Sequence, residues 1–339
     1  MTAGPPDLRA ALGRAPRVLV TGAGGPSGVC FLRSLDGRAE LFAGDLDANG
    51  VGLYLVDRDH RRLLPRGDDP AFADTLLKLC RELAIDVLVP TVDTELIPLA
   101  RRAADFANEG VRVLTSAPEA LDSCLDKWRL AEVCAGVVRV PATALVSDDG
   151  PGADFAGGYP AIAKPRSGSG SRGVHTVQGP RDLEVLAHDG SRLVQELLPG
   201  TEYSVDVLIH PDGQVAAAVP RSRDKTDSGI VVAGRVVDAP EFSTLATEVV
   251  RALGLRGIAN VQVREDRAGR PALLEVNPRP PGGMSLTIAS GVHMPAYAVA
   301  GLLGLDVPAH IPHREIAVVR HWQDIVLPAD GLGDVGGAV

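Results

Sequence analysis

No stretch of this 339-residue chain approaches the roughly 18 consecutive apolar residues that a membrane-spanning helix requires. Met1 to Arg14 holds no apolar core of the kind secretory signals carry, so the expected location is the cytoplasm. A basic excess is missing as well. The formal net charge is −9 and the pI is about 5.4, which weighs against nucleic acid or an anionic membrane as the partner. Cysteine is scarce: Cys30, Cys80, Cys124 and Cys134 show no CxxC spacing, so a disulfide framework is not expected and the thiols read as reduced. There is no G-x-x-x-x-G-K-[ST] phosphate loop, no internal repeat, and no Ser-His-Asp or Cys-His arrangement to supply a side-chain nucleophile.

The composition that remains, 45% hydrophobic and 23% charged, is that of a globular protein long enough for two or three domains. Short apolar strands at 17–21, 41–45, 86–90 and 111–114 alternate with helical periodicity after residue 28 and over 73–83. That alternation predicts a parallel α/β domain over about 15–115. Ser116-Ala117-Pro118-Glu119 has the pattern of a capping box, and a second helix is expected over 126–135. From Pro160 the texture turns to β segments at 160–164, 173–177, 192–197, 202–209, 214–219, 257–264 and 271–276. Helices are expected at 181–188, 241–253 and 284–303.

The most conspicuous motif is the loop Gly22-Ala23-Gly24-Gly25-Pro26-Ser27-Gly28 between a strand and a helix. Its G-x-G-x-x-x-G spacing is one residue longer than the dinucleotide fingerprint, although Asp45 lies at a suitable distance for a ribose hydroxyl. An NAD(P) site and a tight turn that binds no nucleotide are both open on this loop alone.

A quieter segment, Leu273-Leu274-Glu275-Val276-Asn277-Pro278-Arg279, carries more chemistry. Side chains two apart on a strand share a face, so Glu275 and Asn277 present hard oxygens side by side, with Arg279 following as an anion holder. Asn260 and Gln262 alternate on the preceding strand. A four-residue turn, Arg267 to Arg270, would set Gln262 opposite Glu275 and complete an oxygen-rich cluster suited to Mg²⁺. Lys164 ends a strand and precedes the small-residue loop Ser167-Gly168-Ser169-Gly170-Ser171, a combination that suits phosphate. The segment from Gln195 through Pro199-Gly200 to Glu202 has the form of a hinge that offers backbone groups to an adenine edge, with Glu202 within reach of ribose hydroxyls. Gly282-Gly283 opens a helix and favours an anion; Arg221 and Lys225 read as a charged loop adding positive charge. His310 and His313 are flanked by Pro308 and Pro312 and read as a surface loop.

Taken together, Asp126-Lys127, Lys164 with its glycine loop, Gln195-Glu196 to Gly200-x-Glu202-Tyr203-Ser204-x-Asp206, Gln262, and Glu275-x-Asn277-x-Arg279 resemble the ATP-grasp superfamily. The resemblance runs from about Arg17 to Leu303. It is strongest to the carbamoyl-phosphate-synthase-like carboxylate–amine ligases, including the ligase of pyrrolysine biosynthesis. It implies an α/β fold: a Rossmann-like N-terminal domain (1–115), a small lobe with a glycine-rich lid (116–195), a C-terminal lobe bearing the Mg-ATP site (196–330) and a flexible tail (331–339). It also implies roles. Lys127 and Lys164 would bind ATP phosphates beneath a lid containing Ser169 and Gly170. Glu196 and Leu198 would contact adenine, and Glu202 the ribose. Gln262, Glu275 and Asn277 would coordinate Mg²⁺, or Mn²⁺ in its place. Arg279, with Lys164, would act on the transferring phosphoryl group, while Arg221, Gly282 and Gly283 would meet an amino-acid-like substrate. The implied reaction joins a small-molecule carboxylate and an amine through an acyl phosphate, releasing ADP and phosphate, with a homodimer as the default assembly. A small-molecule kinase, an NAD(P) oxidoreductase and a non-catalytic ATP-binding regulator are the competing expectations.

Overall fold

The computed structural model describes residues 4–148, 155–168 and 172–335. A short helix, α1 (Leu8–Leu12), precedes a five-stranded parallel sheet of β1 (Arg17–Thr21), β2 (Glu40–Asp45), β3 (Arg61–Leu63), β4 (Val87–Val89) and β5 (Arg112–Val113). The strand order is β3-β2-β1-β4-β5. Val18, Leu19 and Val20 are fully buried, the continuous apolar run expected of a strand covered on both faces. The covering helices are α2 (Pro26–Leu35), α3 (Phe72–Glu82), α4 (Asp93–Arg101) and α5 (Ala103–Asn108). The chain leaves β1 toward one edge and returns to β4 on its other side, so the switch in strand order falls between β1 and β4. In open parallel sheets, ligands bind beyond the carboxyl ends of the strands at such a switch.

Two helices, α6 (Pro118–Leu125) and α7 (Lys127–Cys134), lead to a four-stranded antiparallel sheet. Its strands are β6 (Thr143–Ser147), β7 (Ala161–Pro165), β8 (His175–Val177) and β9 (Asp189–Glu196), in the order β6-β9-β7-β8. A seven-stranded sheet follows, built from β10 (Glu202–Ile209), β11 (Val215–Ser222), β12 (Lys225–Asp227), β13 (Ile230–Val236), β14 (Gly257–Glu265), β15 (Pro271–Asn277) and β16 (Ile316–Val319). Its main path is β12-β13-β11-β10-β14-β15, with β16 paired to β13. Strand alternation divides β10 between two cores. Val205, Val207 and Ile209 pack with Phe242, Leu245, Ala246 and Val249 of α8 (Pro240–Leu253). Leu208 joins the opposite cluster with α2, α9 (Met284–Ala289) and α10 (Met294–Leu302). Ser204 and Asp206 share that second face and are fully buried.

Several expectations are corrected. Ser116 caps no helix: its hydroxyl accepts from the Arg256 backbone N–H at 2.9 Å, and α6 starts behind Ala117 without a side-chain cap. The helix expected at 181–188 reduces to one 3₁₀ turn, Pro180–Leu183. The helix expected at 284–303 is broken into α9 and α10, because Gly291 adopts φ +108° and Pro295 enters at the start of the second helix. Arg221 and Lys225 lie on β11 and β12, in place of a charged loop. Among the described residues, no helix is long and apolar enough to cross a membrane.

Candidate active site

The loops at the parallel sheet's switch point, one wall of the four-stranded sheet and the β14–β15 hairpin enclose a cleft of about 940 Å³. That is within the usual size range for small-molecule sites. Its lining includes Gly22 and Gly25 after β1, Thr91 and Asp93 after β4, Lys164, Glu202 and Arg279.

Lys164 sits near the end of β7 with 8% exposure. Its ammonium donates to Gln195 Oε1 at 2.8 Å, and Gln195 Nε2 in turn donates to Thr143 Oγ1 at 2.9 Å, so three strands fix its position. Burial pushes its pKa down to about 8; Glu275 and Glu202 oppose the shift, and Lys127 adds to it. Lys127 opens α7, whose N-cap Asp126 accepts from the backbone N–H groups of Trp128 and Arg129. Asp126 also pairs with Arg166 at 2.6 Å, and Lys127 Nζ donates to the Gly168 carbonyl at 2.7 Å. One helix start is thereby tied to the loop that follows β7. Ser169 and Gly170, expected in the lid, lie outside the described residues.

The hinge after β9 is partly as expected. Leu198 is buried against the cleft, and Glu202 pairs with Arg223 at 3.0 Å. The Glu196 carboxylate is turned to Arg139 (3.0 Å) and the Ala142 N–H (3.2 Å), so its backbone is what it can offer a base edge.

The hairpin register sets Gln262 opposite Glu275 and Asn260 opposite Asn277, with a bulge just after Gln262. Gln262, Glu275 and Asn277 are half-buried and line the cleft together. Among the described residues the Glu275 carboxylate has no hydrogen-bond or ion-pair partner, and no group of three His, Cys, Asp or Glu side chains is placed to hold a metal. One carboxylate with two amide oxygens is a sparse set for a dedicated cage. It fits a hard cation such as Mg²⁺ that takes the rest of its shell from water and phosphate oxygens.

Arg279 lines the same cleft, but its guanidinium is held by Asp93, at 2.6 Å from Nε to Oδ1 and 3.2 Å from Nη2 to Oδ2. Asp93 is the first residue of α4. Two residues on, the buried Glu95 carboxylate accepts from Thr21 Oγ1 (2.7 Å) and the N–H groups of Thr91 (3.2 Å) and Val92 (3.3 Å). Burial raises its pKa to about 7.

Arg221, 2% exposed, lines the floor of the cleft, where Asp206 takes its Nε and Nη2 at 3.0 Å each. Asp206 also accepts from Asn260 Nδ2 (2.7 Å) and Thr287 Oγ1 (2.6 Å). Gly282 and Gly283 border this network, and a Cβ on Gly283 would lie 2.5 Å from Arg221 Nη1, so the guanidinium accepts only glycine above it. Nη1 has no partner among the described residues. Sequence reading missed this network. Its one visible signal is an Asp alternating with Ser on an otherwise apolar strand.

The N-terminal glycine loop is filled by the protein itself. Asp45 Oδ2 accepts from the Gly24 N–H at 2.7 Å and Oδ1 from the Asp47 N–H at 3.0 Å, which uses the carboxylate a ribose would require. A Cβ on Gly24 would stand 2.8 Å from the Gly50 Cα, and one on Gly28 2.6 Å from the Ala23 Cα. These glycines are demanded by close backbone packing, and the dinucleotide reading is not favoured.

A family model described as "PylC-like, N-terminal domain" matches residues 19–114. A second, described as "ATP-grasp in the biosynthetic pathway with Ter operon", matches residues 189–325. The two matches place an ATP-grasp-like segment after a PylC-like N-terminal segment. Among curated relatives, the D-alanine–D-alanine ligase of Halorhodospira halophila is 30% identical over 172 residues, 46% of this chain and 57% of that one. The same-named enzyme of Lacticaseibacillus casei is 27% identical over 169 residues, 48% of this chain and 47% of that one. The chain therefore spans about half the length of the curated relatives it matches. Among solved structures, N5-carboxyaminoimidazole synthetase from Staphylococcus aureus superposes with a TM-score of 0.70 at 16% identity, covering 92% of this chain and 82% of that one. An L-amino acid ligase from Bacillus licheniformis gives 0.63 at 16%, covering 85% and 74%. At these identities the structural likeness speaks for the fold.

Proposed function

We propose that the chain is an ATP-dependent carboxylate–amine ligase that activates a small-molecule acid as its acyl phosphate and releases ADP and phosphate. The observation that carries this reading is the Glu275 carboxylate. It is half-buried and, among the described residues, makes no hydrogen bond or ion pair, beside Gln262 and Asn277 and in the same cleft as Lys164 and Arg279. A carboxylate so placed keeps its lone pairs for a cation and its waters. Relatives named as ligases, and structural neighbours solved in complex with ADP or MgADP, support the same conclusion.

In this reading the chain divides into an N-terminal domain (1–115), a small lobe (116–195) and a C-terminal lobe (196–330). The backbone of Glu196 and Leu198 faces adenine, Glu202 the ribose, and Lys127 and Lys164 the phosphates. Gln262, Glu275 and Asn277 would hold Mg²⁺, which would offset charge on the phosphate oxygens and polarise the γ-phosphorus. A carboxylate oxygen of the substrate attacks that phosphorus and the β–γ bridging bond breaks, giving ADP and an acyl phosphate. The amine then attacks the acyl carbon, loses a proton and expels inorganic phosphate. Arg279 stabilises the phosphoryl oxygens through both steps, acting by preorganised charge. Arg221 and Asp206 brace the floor beneath Gly282-Gly283, where the substrate would lie.

The test is a screen for ADP release over amino acids and small carboxylates with hydroxylamine as the amine. An acyl phosphate is trapped as a hydroxamate, whereas a kinase that phosphorylates a hydroxyl yields ADP and no hydroxamate.

A further inference from the structure

Asp93 and Arg279 are 186 residues apart, yet their side chains form a two-point ion pair on the cleft wall with 25% and 18% of their side-chain surface exposed. A guanidinium offers two useful edges to anions: the side edge of Nε and one Nη, and the end edge between the two Nη atoms. Asp93 occupies the side edge of Arg279. On the end edge, Nη1 makes one long contact, 3.3 Å to the Pro280 carbonyl of its own segment. The backbone around Arg279 is restrained by Pro278, Pro280 and Pro281. Asp93 is restrained in turn: it opens α4 directly behind Thr91 and Val92, whose N–H groups are tied down by Glu95, and Glu95 is anchored to β1 through Thr21. The helix that follows β4 of the parallel sheet therefore starts on a fixed carboxylate that grips an arginine in the segment just after β15 of the seven-stranded sheet.

We infer that Asp93 is a positioning residue for the ligase step. By filling the side edge of Arg279, it turns the end edge toward the anionic group carried through the reaction and makes phosphoryl transfer depend on the N-terminal sheet. This inference rests on the ligase reading for its kinetic consequence and on the ion pair alone for its structural one.

The two can be separated by experiment. Asp93→Ala is expected to lower kcat for hydroxamate formation by about a hundredfold, the scale of misplacing a reacting group by an ångström. The Kd for Mg-ATP, read by titration, should stay within about threefold because the nucleotide contacts are untouched. Asp93→Glu is expected to recover part of kcat. Asp93→Ala combined with Arg279→Ala should be little worse than Arg279→Ala, since both remove one device. Full kcat in Asp93→Ala, or fully multiplicative losses in the double variant, would overturn the inference. If the wild-type chain releases no ADP with any acid, the ligase reading fails. The pair is then judged by the ¹H–¹⁵N signal of the Arg279 Nε–H, which should be protected from exchange in the wild type and collapse in Asp93→Ala. An unchanged signal rejects the pair itself, whatever the reaction.

Discussion

Asp206 on β10 and Glu275 on β15 are carboxylates of one antiparallel sheet, and they are treated in opposite ways. Asp206 is 0% exposed and accepts from Arg221, Asn260 and Thr287, so its charge is answered entirely from within the protein. Glu275 is half-buried and, among the described residues, makes no hydrogen bond or ion pair, with the Lys164 ammonium as its electrostatic neighbour in the cleft. A desolvated charge either finds protein partners or is left for something from outside. Asp206 therefore belongs to the floor that holds the sheet in shape, and Glu275 to the chemistry above it.

This contrast can be broken in four places. The largest expected effect is on catalysis: Glu275→Gln should keep the fold but lower hydroxamate formation by about 10²–10³-fold, because the one carboxylate of the metal set is lost. Its unfolding free energy should move by no more than about 0.5 kcal/mol, as for other partly exposed sites without partners. Asp206→Asn should behave in reverse. It leaves Arg221 buried beside a neutral side chain, and a loss of about 3–5 kcal/mol in denaturant unfolding is expected, the cost of breaking a buried pair. Wild-type stability in that variant would show that the floor network contributes little.

A third effect concerns pH. Lys164 has its ammonium form disfavoured in the ligand-free chain, with a pKa near 8, below the ordinary 10.5. Bound phosphate restores the charge, so binding takes up a proton above that value. The Kd for Mg-ATP should rise by up to about tenfold per pH unit above pH 8 and flatten below it. For stability the sign runs the other way: the unfolded chain binds the extra proton between pH 8 and 10.5, so this lysine's penalty on folding is relieved as pH rises through that window. A pH-independent Kd up to pH 9.5 would remove Lys164 from the phosphates. The smallest effect is expected at the N-terminal loop. Asp45→Ala removes the acceptor for the Gly24 N–H and should cost about 1 kcal/mol, comparable to a lost cap, while leaving Mg-ATP affinity unchanged and creating no affinity for NAD(P).

Much of this was legible in the residues because strands have a period of two. Asn260-x-Gln262 and Glu275-x-Asn277 each declare a shared face, so the oxygen cluster was legible. The expected four-residue turn is not what sets the register, since Glu265 pairs with Pro271 and it is the bulge after Gln262 that brings Gln262 opposite Glu275. Most of the parallel sheet was legible because β1 and β4 are short and largely apolar, whereas β3, Arg61-Arg62-Leu63, carries no such signal and was not read. Contacts closed over long separations were not. Nothing local in Asp93 announces Arg279, and nothing in Pro220-Arg221-Ser222 says that this arginine lies beneath a glycine with an aspartate at its side. The expected helix over 284–303 failed because apolar periodicity continues across Gly291, where the backbone turns left-handed. The glycine loop misled in the opposite direction: its glycines answer to Gly50 and Ala23, and a loop forced by internal packing looks, in sequence, like one built for a phosphate.

The most direct test of the central claim is hydroxamate formation in the presence of Mg-ATP, compared between the wild-type chain and Glu275→Gln across a panel of small carboxylates. The account predicts an acid for which the wild type forms hydroxamate and ADP in equal amounts, with both products lost in the variant. ADP released without hydroxamate, or equal turnover in the variant, would contradict it.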